Sequence, residues 1–273
     1  MKNSFTHPDF NLEATLDSGQ VFGFIKSTDK VYSGTIRGCA LDLWQKEKTL
    51  HFKSRTNEIG AAPIAEYFDL KRDLAQVYDS LLAEECLAPV ASNLSGLRII
   101  RQDPWEALAC FIISSNNNVK RIQGIWKNIS EYFCERSGAF PKPAQIAKVH
   151  ERILRQLGLG YRAPFLLRTA QFLSTNPGYL EHIRELPYEE AKKRVLNFPG
   201  IGPKVADCAL LYGFHKLEAF PVDVWILRVM RKLYFNNRKV SEEKVHAYGQ
   251  KKWKDRAGYI QQYLFHGARM SII

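Results

Sequence analysis

No stretch of this chain stays apolar long enough to cross a bilayer. The polar residues from Met1 to Asn11 lack the pattern of a secretory leader. Cysteine is sparse: the five present (Cys39, Cys86, Cys110, Cys134 and Cys208) are scattered and odd in number. That excludes a disulfide-stapled scaffold and points to reduced thiols in an intracellular protein. No two lie close enough to read as ligands of a metal or an iron–sulfur cluster. Internal repeats and low-complexity tracts are absent as well. Acidic residues are in deficit, with 28 Asp and Glu against 39 Lys and Arg, a formal charge of +11. Such a balance disfavours acidic partners and favours contact with a polyanion.

What is present suits an ordered globular protein: 273 residues, 45% hydrophobic and 12% aromatic, enough for one large or two modest domains. The first fifty-odd residues read as β. Runs rich in Val, Tyr, Ile, Leu and Phe occur at Val21 to Ile25, Val31 to Ile36, Cys39 to Gln45 and Leu50 to Lys53, with turn chemistry at Thr28-Asp29-Lys30, Arg37-Gly38 and Lys46-Glu47-Lys48. An antiparallel meander is expected. From Ile59 onward apolar residues recur at spacings of three and four, the helical period. The polar segment Ser92-Asn93-Leu94-Ser95-Gly96 marks a boundary, giving an N-terminal β-sheet domain over 1–95 and a mostly helical domain over 96–273. The fold class is α+β.

In the second part, Asp103-Pro104 supplies a cap and a first-turn proline for a helix covering Trp105 to Ile113. Another helix is predicted from Val119 to Cys134. Gly158 and Gly160 punctuate a loop before a helix from Arg162 to Phe172. Further helices are predicted over Tyr188 to Leu196, Lys204 to Gly213, Val224 to Tyr234 and Arg256 to Ala268.

The most informative stretch is Asn197-Phe198-Pro199-Gly200-Ile201-Gly202-Pro203-Lys204, a helix running into a tight turn with a second helix starting at once. Gly200 and Gly202 permit backbone angles and close approaches that other residues resist. Unpaired amides in the turn and at the next helix start can hold a phosphate without reading base sequence. This is the helix–hairpin–helix pattern; the plain alternative is a corner that binds nothing. Lys204 falls in the first turn of the second helix, where the dipole and partial burial disfavour an ammonium and favour a nucleophilic amine. Its plain alternative is a phosphate contact. Nineteen positions later (223 − 204 = 19) stands Asp223, placed to cap the next helix and equally to stabilise positive charge on a sugar.

With these residues in view, the sequence resembles the 8-oxoguanine DNA glycosylases of the helix–hairpin–helix superfamily over nearly its whole length, from Leu16 to about Arg269. The matching segments are Ser18 to Phe22, Gln102 to Glu106, Ser114 to Asn118, Gly158 to Arg162, Phe198 to Cys208, Pro221-Val222-Asp223, and Ala257 to Gln261 followed by Phe265. The resemblance implies that Lys204 attacks the anomeric carbon as a Schiff-base nucleophile, with Asp223 supporting that step and later proton transfers. The damaged purine would be flipped out of the duplex. Phe265 and Cys208 would sandwich it, Gln261 would read its Watson–Crick edge, and the carbonyl of Gly19 would accept the N7 hydrogen of the oxidised base. Asn116 would fill the gap left in the duplex. Arg121, Tyr161 and Arg162 would hold the orphaned strand, the two arginines contacting the opposite cytosine. Without the resemblance, Phe265 reads as core, Cys208 as a buried thiol and Asn116 as part of a helix cap.

The resemblance thus implies a bifunctional DNA glycosylase and AP lyase excising 8-oxoguanine, with formamidopyrimidine-guanine as a further substrate. The partner is double-stranded DNA containing oxidised guanine, and the chain acts as a monomer inside the cell. No organic cofactor and no side-chain metal site are implied. A monovalent or divalent cation on backbone carbonyls of the Leu196–Ile201 turn is the one candidate ion. This chain departs from eukaryotic members in carrying Trp225 where they have histidine. The alternatives are an endonuclease III-like enzyme for oxidised pyrimidines, an alkylpurine glycosylase, and a non-catalytic damage-binding module.

Overall fold

A computed structural model describes residues 3–133 and 138–273; Cys134, read above as a reduced thiol and a helix end, lies outside the described residues. Five strands, β1 (Ser4–Thr6), β2 (Ile25–Lys26), β3 (Tyr32–Ile36), β4 (Cys39–Lys46) and β5 (Thr49–Ser54), form one antiparallel sheet in the order β1-β5-β4-β3-β2. The expected meander runs from β2 to β5. Arg37 and Gly38 both take positive φ (52° and 76°) between Ile36 and its partner Cys39, the geometry of a tight hairpin turn. Strand β1 was not foreseen; it adds an edge through Ser4↔His51 and Thr6↔Thr49.

The predicted strand from Val21 to Ile25 is corrected. Only Ile25 and Lys26 pair, and residues 21–24 run irregularly. Their apolar side chains do not alternate across a sheet but divide between two cores. Val21 and Phe24 join the sheet's core with Tyr32, Leu41 and Phe52, while Phe22 enters the helical core beside Phe111.

The helices are α1 (Leu12–Leu16), α2 (Ala61–Tyr67), α3 (Ala75–Leu82), α4 (Ala88–Asn93), α5 (Pro104–Ser114), α6 (Val119–Phe133), α7 (Pro143–Ile146), α8 (Glu151–Leu154), α9 (Ala163–Thr175), α10 (Tyr179–Glu185), α11 (Tyr188–Leu196), α12 (Pro203–Gly213), α13 (Val224–Tyr234), α14 (Glu242–Trp253) and α15 (Ala257–Arg269). Asp103 caps α5 as expected, accepting from the Glu106 amide at 3.0 Å. Because α5 buries side chains on all sides, from Trp105 through Ile113, it lies inside the helical body against α12. Helices α3 and α4, which precede residue 95, send Val77, Leu81 and Val90 into the helical core and pack on α15. Among the described residues no helix is long and apolar enough to cross a membrane.

A buried charge cluster joins the sheet end to the helices. Asp69, 5% exposed, lies 2.7 Å from Arg72, 2.8 Å from Arg101 and 3.1 Å from His215, which precedes α13. Burial pushes its carboxyl up, but His215, Arg72 and Arg101 together outweigh burial and hold it well below the usual carboxylate range. A depressed carboxyl stabilises the fold above the unfolded-state value of about 4, and that stability is lost as pH falls toward the folded value. Asp69→Asn is therefore expected to cost roughly 2–3 kcal/mol at neutral pH, less than a fully buried pair because both arginines are partly exposed. In thermal melts from pH 7 to pH 3 the gap between wild type and variant should hold down to about pH 4 and begin to narrow below it; equal stability at pH 7 would contradict this role.

Candidate active site

Helix α11 closes with the Phe198 amide bonded to the Val195 carbonyl at 3.1 Å, and the Ile201 amide then turns back to Phe198 at 3.3 Å. Gly200 takes φ +78°, and a Cβ there would lie 2.3 Å from the Phe165 ring of α9. Gly202, the N-cap of α12, is exposed with nothing within 4 Å of its Cβ direction and no side chain capping the helix. The first-turn amides of α12 thus lack a side-chain cap at the positive end of the helix dipole, an arrangement suited to an anion. Pro203 at the first helical position removes an amide that would be unpaired anyway.

Beneath the turn, four polar side chains clasp α11, α12 and α14 together. The Tyr188 hydroxyl donates to Asp207 Oδ1 at 2.6 Å, Lys192 Nζ lies 2.9 Å from the same atom, and His246 Nε2 lies 3.1 Å from Asp207 Oδ2. Asp207 is 1% exposed. Sequence reasoning missed this cluster; the available signal was one acidic residue amid the apolar run from Val205 to Leu211.

Lys204, Cys208 and Tyr212 recur every four residues and so share one face of α12. They line a cavity of about 40 Å³ together with Gly19, Phe111, Pro221, Asp223, Gln261 and Phe265. Six residues expected to act together are thus brought together: Lys204, Asp223, Gly19, Cys208, Gln261 and Phe265. Phe111, Tyr212 and Pro221 were not foreseen, since nothing in sequence separates them from ordinary core. The Phe111 and Tyr212 rings stack at 5.3 Å, and Lys204 Nζ lies 5.8 Å from the Phe111 centroid.

Each wall has its own chemistry. Asp223 caps α13 as expected, accepting from the Ile226 amide at 2.9 Å, and the same residue lines the cavity. Burial pushes its carboxyl up, opposed by the Ile226 amide, the Lys204 charge and the Trp225 amide. Burial pushes the Cys208 thiol up to about 11 against the pull of Lys204, which makes it a neutral wall at physiological pH. Gln261 Nε2 donates to the Pro221 carbonyl at 3.1 Å, while its Oε1 is buried with no partner among the described residues. Buried acceptors are rarely left unpaired, so this one is available to a donor brought in by a ligand. Gly19 takes φ +80°, a conformation that residues with side chains rarely adopt; a Cβ there would lie 2.8 Å from the tip of Arg269 and 3.4 Å from the Phe265 ring.

The remaining expected residues border a separate exposed edge. Asn116, between α5 and α6, is exposed at φ +48°, and its side-chain amide lies 3.3 Å from the Tyr161 hydroxyl. Gly158 and Gly160 take φ +104° and +57° just before Tyr161. Arg121 is exposed in the first turn of α6, and among the described residues its guanidinium makes no hydrogen bond or ion pair. Arg162 differs from expectation. It is 3% exposed, bonding the Ser115 carbonyl at 2.7 Å and the Asn116 carbonyl at 2.9 Å, so it supports the Asn116 turn instead of offering donors to a base.

Two family models cover this architecture: the 8-oxoguanine DNA glycosylase N-terminal domain matches residues 3–108, and the HhH-GPD superfamily base excision DNA repair protein matches residues 109–255. The chain belongs to the HhH-GPD superfamily of base excision DNA repair proteins, in the branch that carries the 8-oxoguanine DNA glycosylase N-terminal domain. It is 34% identical over 235 residues to a protein named "Probable N-glycosylase/DNA lyase" from Methanothermobacter thermautotrophicus, covering 75% of this chain and 73% of that one. With the N-glycosylase/DNA lyase of Saccharomyces cerevisiae it shares 30% identity over 243 residues, 74% of this chain and 65% of the yeast protein. A solved structure of Clostridium acetobutylicum 8-oxoguanine glycosylase/lyase, in complex with double-stranded DNA containing cytosine opposite 8-oxoguanine, superposes with a TM-score of 0.90 at 30% identity and covers 100% of both chains.

The two hairpin glycines should separate in experiment. Gly200→Ala is expected to cost roughly 1–3 kcal/mol, from the disfavoured φ and the Phe165 contact. Gly202→Ala should leave the melting temperature nearly unchanged, yet weaken binding to undamaged duplex by setting a methyl group beside the free amides. Unchanged affinity for Gly202→Ala would rule out this turn as a phosphate site.

Proposed function

We propose that this protein is a bifunctional DNA glycosylase and AP lyase that removes 8-oxoguanine from duplex DNA and then cleaves the abasic site. The observation that carries the reading is the convergence of a lysine, a half-buried carboxylate and an unpaired glutamine acceptor on one cavity beside a phosphate-suited hairpin. Family membership and the named relatives support it.

In this reading Lys204 Nζ attacks C1′ of the extruded nucleotide as the bond from C1′ to the base breaks. The leaving purine takes up a proton, and loss of the sugar ring C1′–O4′ bond gives a Schiff base on Lys204. Removal of a C2′ proton then expels the 3′ phosphate by β-elimination. Asp223, fixed by its cap bond, stabilises the positive charge that develops on the sugar. Gln261 accepts from the Watson–Crick edge, and the Gly19 carbonyl from N7–H. The half-buried Phe265 ring forms one wall of this small cavity, where it can stack on the base. With Arg162 committed to backbone, contact with the opposite cytosine falls to Arg121. A cation, if bound, would rest on carbonyls of the 196–201 turn at the negative end of α11. Among the described residues no His, Cys, Asp or Glu cluster is arranged for a metal.

Borohydride trapping on a duplex with a single 8-oxoguanine tests the nucleophile. Wild type should crosslink, and Lys204→Gln should lose both crosslink and base release while still binding DNA. Asp223→Asn should slow base release by about a hundredfold or more. Undiminished trapping by Lys204→Gln would overturn the assignment.

A further inference from the structure

Arg269 stands in the last turn of α15, one helical turn beyond Phe265 and on the same face. Its guanidinium lies 5.4 Å from the Phe265 ring centroid, and its Nη1 sits 2.8 Å from where a Gly19 Cβ would be. It thus rests against two walls of the base cavity without lining that cavity. It opens instead into a neighbouring hollow of about 380 Å³, which Gly19 also borders. Asp17 is the one carboxylate among the residues lining that hollow, and Lys26 takes it at 2.6 Å. Arg269 is exposed, and among the described residues it makes no hydrogen bond or ion pair. Burial and the Arg269 charge together hold the nearby His266 ring down at about 4, so it is neutral at physiological pH. The helix dipole favours a cation in this turn, but it does not direct one onto the Phe265 ring beside Gly19. The ring contact does so, and leaves the guanidinium donors free.

We propose that Arg269 binds the phosphate on the 5′ side of the damaged nucleotide, and only after that nucleotide is extruded. This rests on the repair reading above. In that reading the Gly19 carbonyl accepts from N7–H, so the imidazole edge of the purine meets the wall on which Arg269 rests. In the anti conformation of duplex nucleotides, C8 of that edge lies toward the nucleotide's own 5′ phosphate. Entry of the base therefore draws this phosphate to the side of the cavity where the unpaired guanidinium stands. The planar fork of an arginine suits two oxygens of one phosphate. In undamaged duplex no base enters the cavity, and nothing brings a phosphate to Gly19.

Binding to a duplex with 2′-fluoro-8-oxoguanosine, whose glycosidic bond resists breakage, tests the contact without turnover. Arg269→Met keeps an apolar stem on Phe265 and removes the charge. It should weaken binding to this duplex by about tenfold or more, and to undamaged duplex by less than about twofold. A neutral methylphosphonate at the 5′ linkage of the lesion should weaken wild-type binding to a similar degree. On that duplex Arg269→Met should bring no further loss. Arg269→Lys should retain part of the affinity for the unmodified lesion duplex. Equal losses on lesion and undamaged duplexes, or no loss on either, would overturn the proposal. So would an undiminished loss on the methylphosphonate duplex, which would mean that Arg269 acts only by positioning Phe265. Failure of wild type to release 8-oxoguanine would instead overturn the repair reading, and the methylphosphonate comparison would still decide for or against the Arg269 contact.

Discussion

The site depends on a chain of buried hydrogen bonds that carries the segment around Gly19 into the protein interior. Ser18 and Gln20 are fully buried, and backbone brought there must find partners. Gln262 of α15 donates to the Ser18 carbonyl at 3.0 Å and accepts from the Tyr212 hydroxyl of α12 at 2.5 Å. Gln20 donates to the Arg98 carbonyl at 2.8 Å and accepts from the Ile100 amide at 2.8 Å. Gln102 donates to the Gln20 carbonyl at 2.7 Å, while its own amide bonds the Tyr212 carbonyl at 3.1 Å. The helix bearing Lys204 is therefore hydrogen-bonded, through two glutamines and one tyrosine, to the loop bearing Gly19. Gln261 and Gln262 are neighbours on α15 with separate duties: one faces the cavity, the other fixes its opposite wall.

That arrangement explains why one small cavity draws on distant parts of the chain. Without the Gly19 segment, α12 and α15 would present an open groove. Without α12, Gln262 and Gln102, whose side chains bond the segment's carbonyls, would lose their anchors on Tyr212. The Tyr188–Lys192–Asp207–His246 clasp plays the matching part on the far side of α12. It holds α12 against α11 and α14, so the hairpin turn and Lys204 keep a fixed relation. Buried ionic groups of this kind add little net stability, but they admit few alternative packings.

Local signals in the sequence translated well into structure. Helices α11 and α13 have the predicted ends, Tyr188–Leu196 and Val224–Tyr234, because a turn glycine and a capping aspartate act within a few residues. Lys204 in the first turn of α12 and Asp223 at the cap of α13 stand where the same local signals put them. Where the outcome depends on distant packing, local pattern misled. Residues 21–24 have strand composition, yet they serve two cores at once. Helix α14 went unpredicted despite the Ser241 cap, because its buried residues Val245, Gly249 and Trp253 are few and its surface is polar. Arg162 was expected at the opposite cytosine by resemblance, and only the fold brings the Ser115 and Asn116 carbonyls to it.

The central claim is that the glutamine-held Gly19 wall is needed to recognise the base and not to cleave the sugar. Replacing Gln262 with leucine removes both of its hydrogen bonds at nearly constant size. Single-turnover rates should then be compared on two duplexes, one containing 8-oxoguanine and one with a preformed abasic site. The account predicts that 8-oxoguanine release falls by about tenfold or more, while strand cleavage at the abasic site stays close to wild type. Equal loss of both activities, or retention of both, would contradict it.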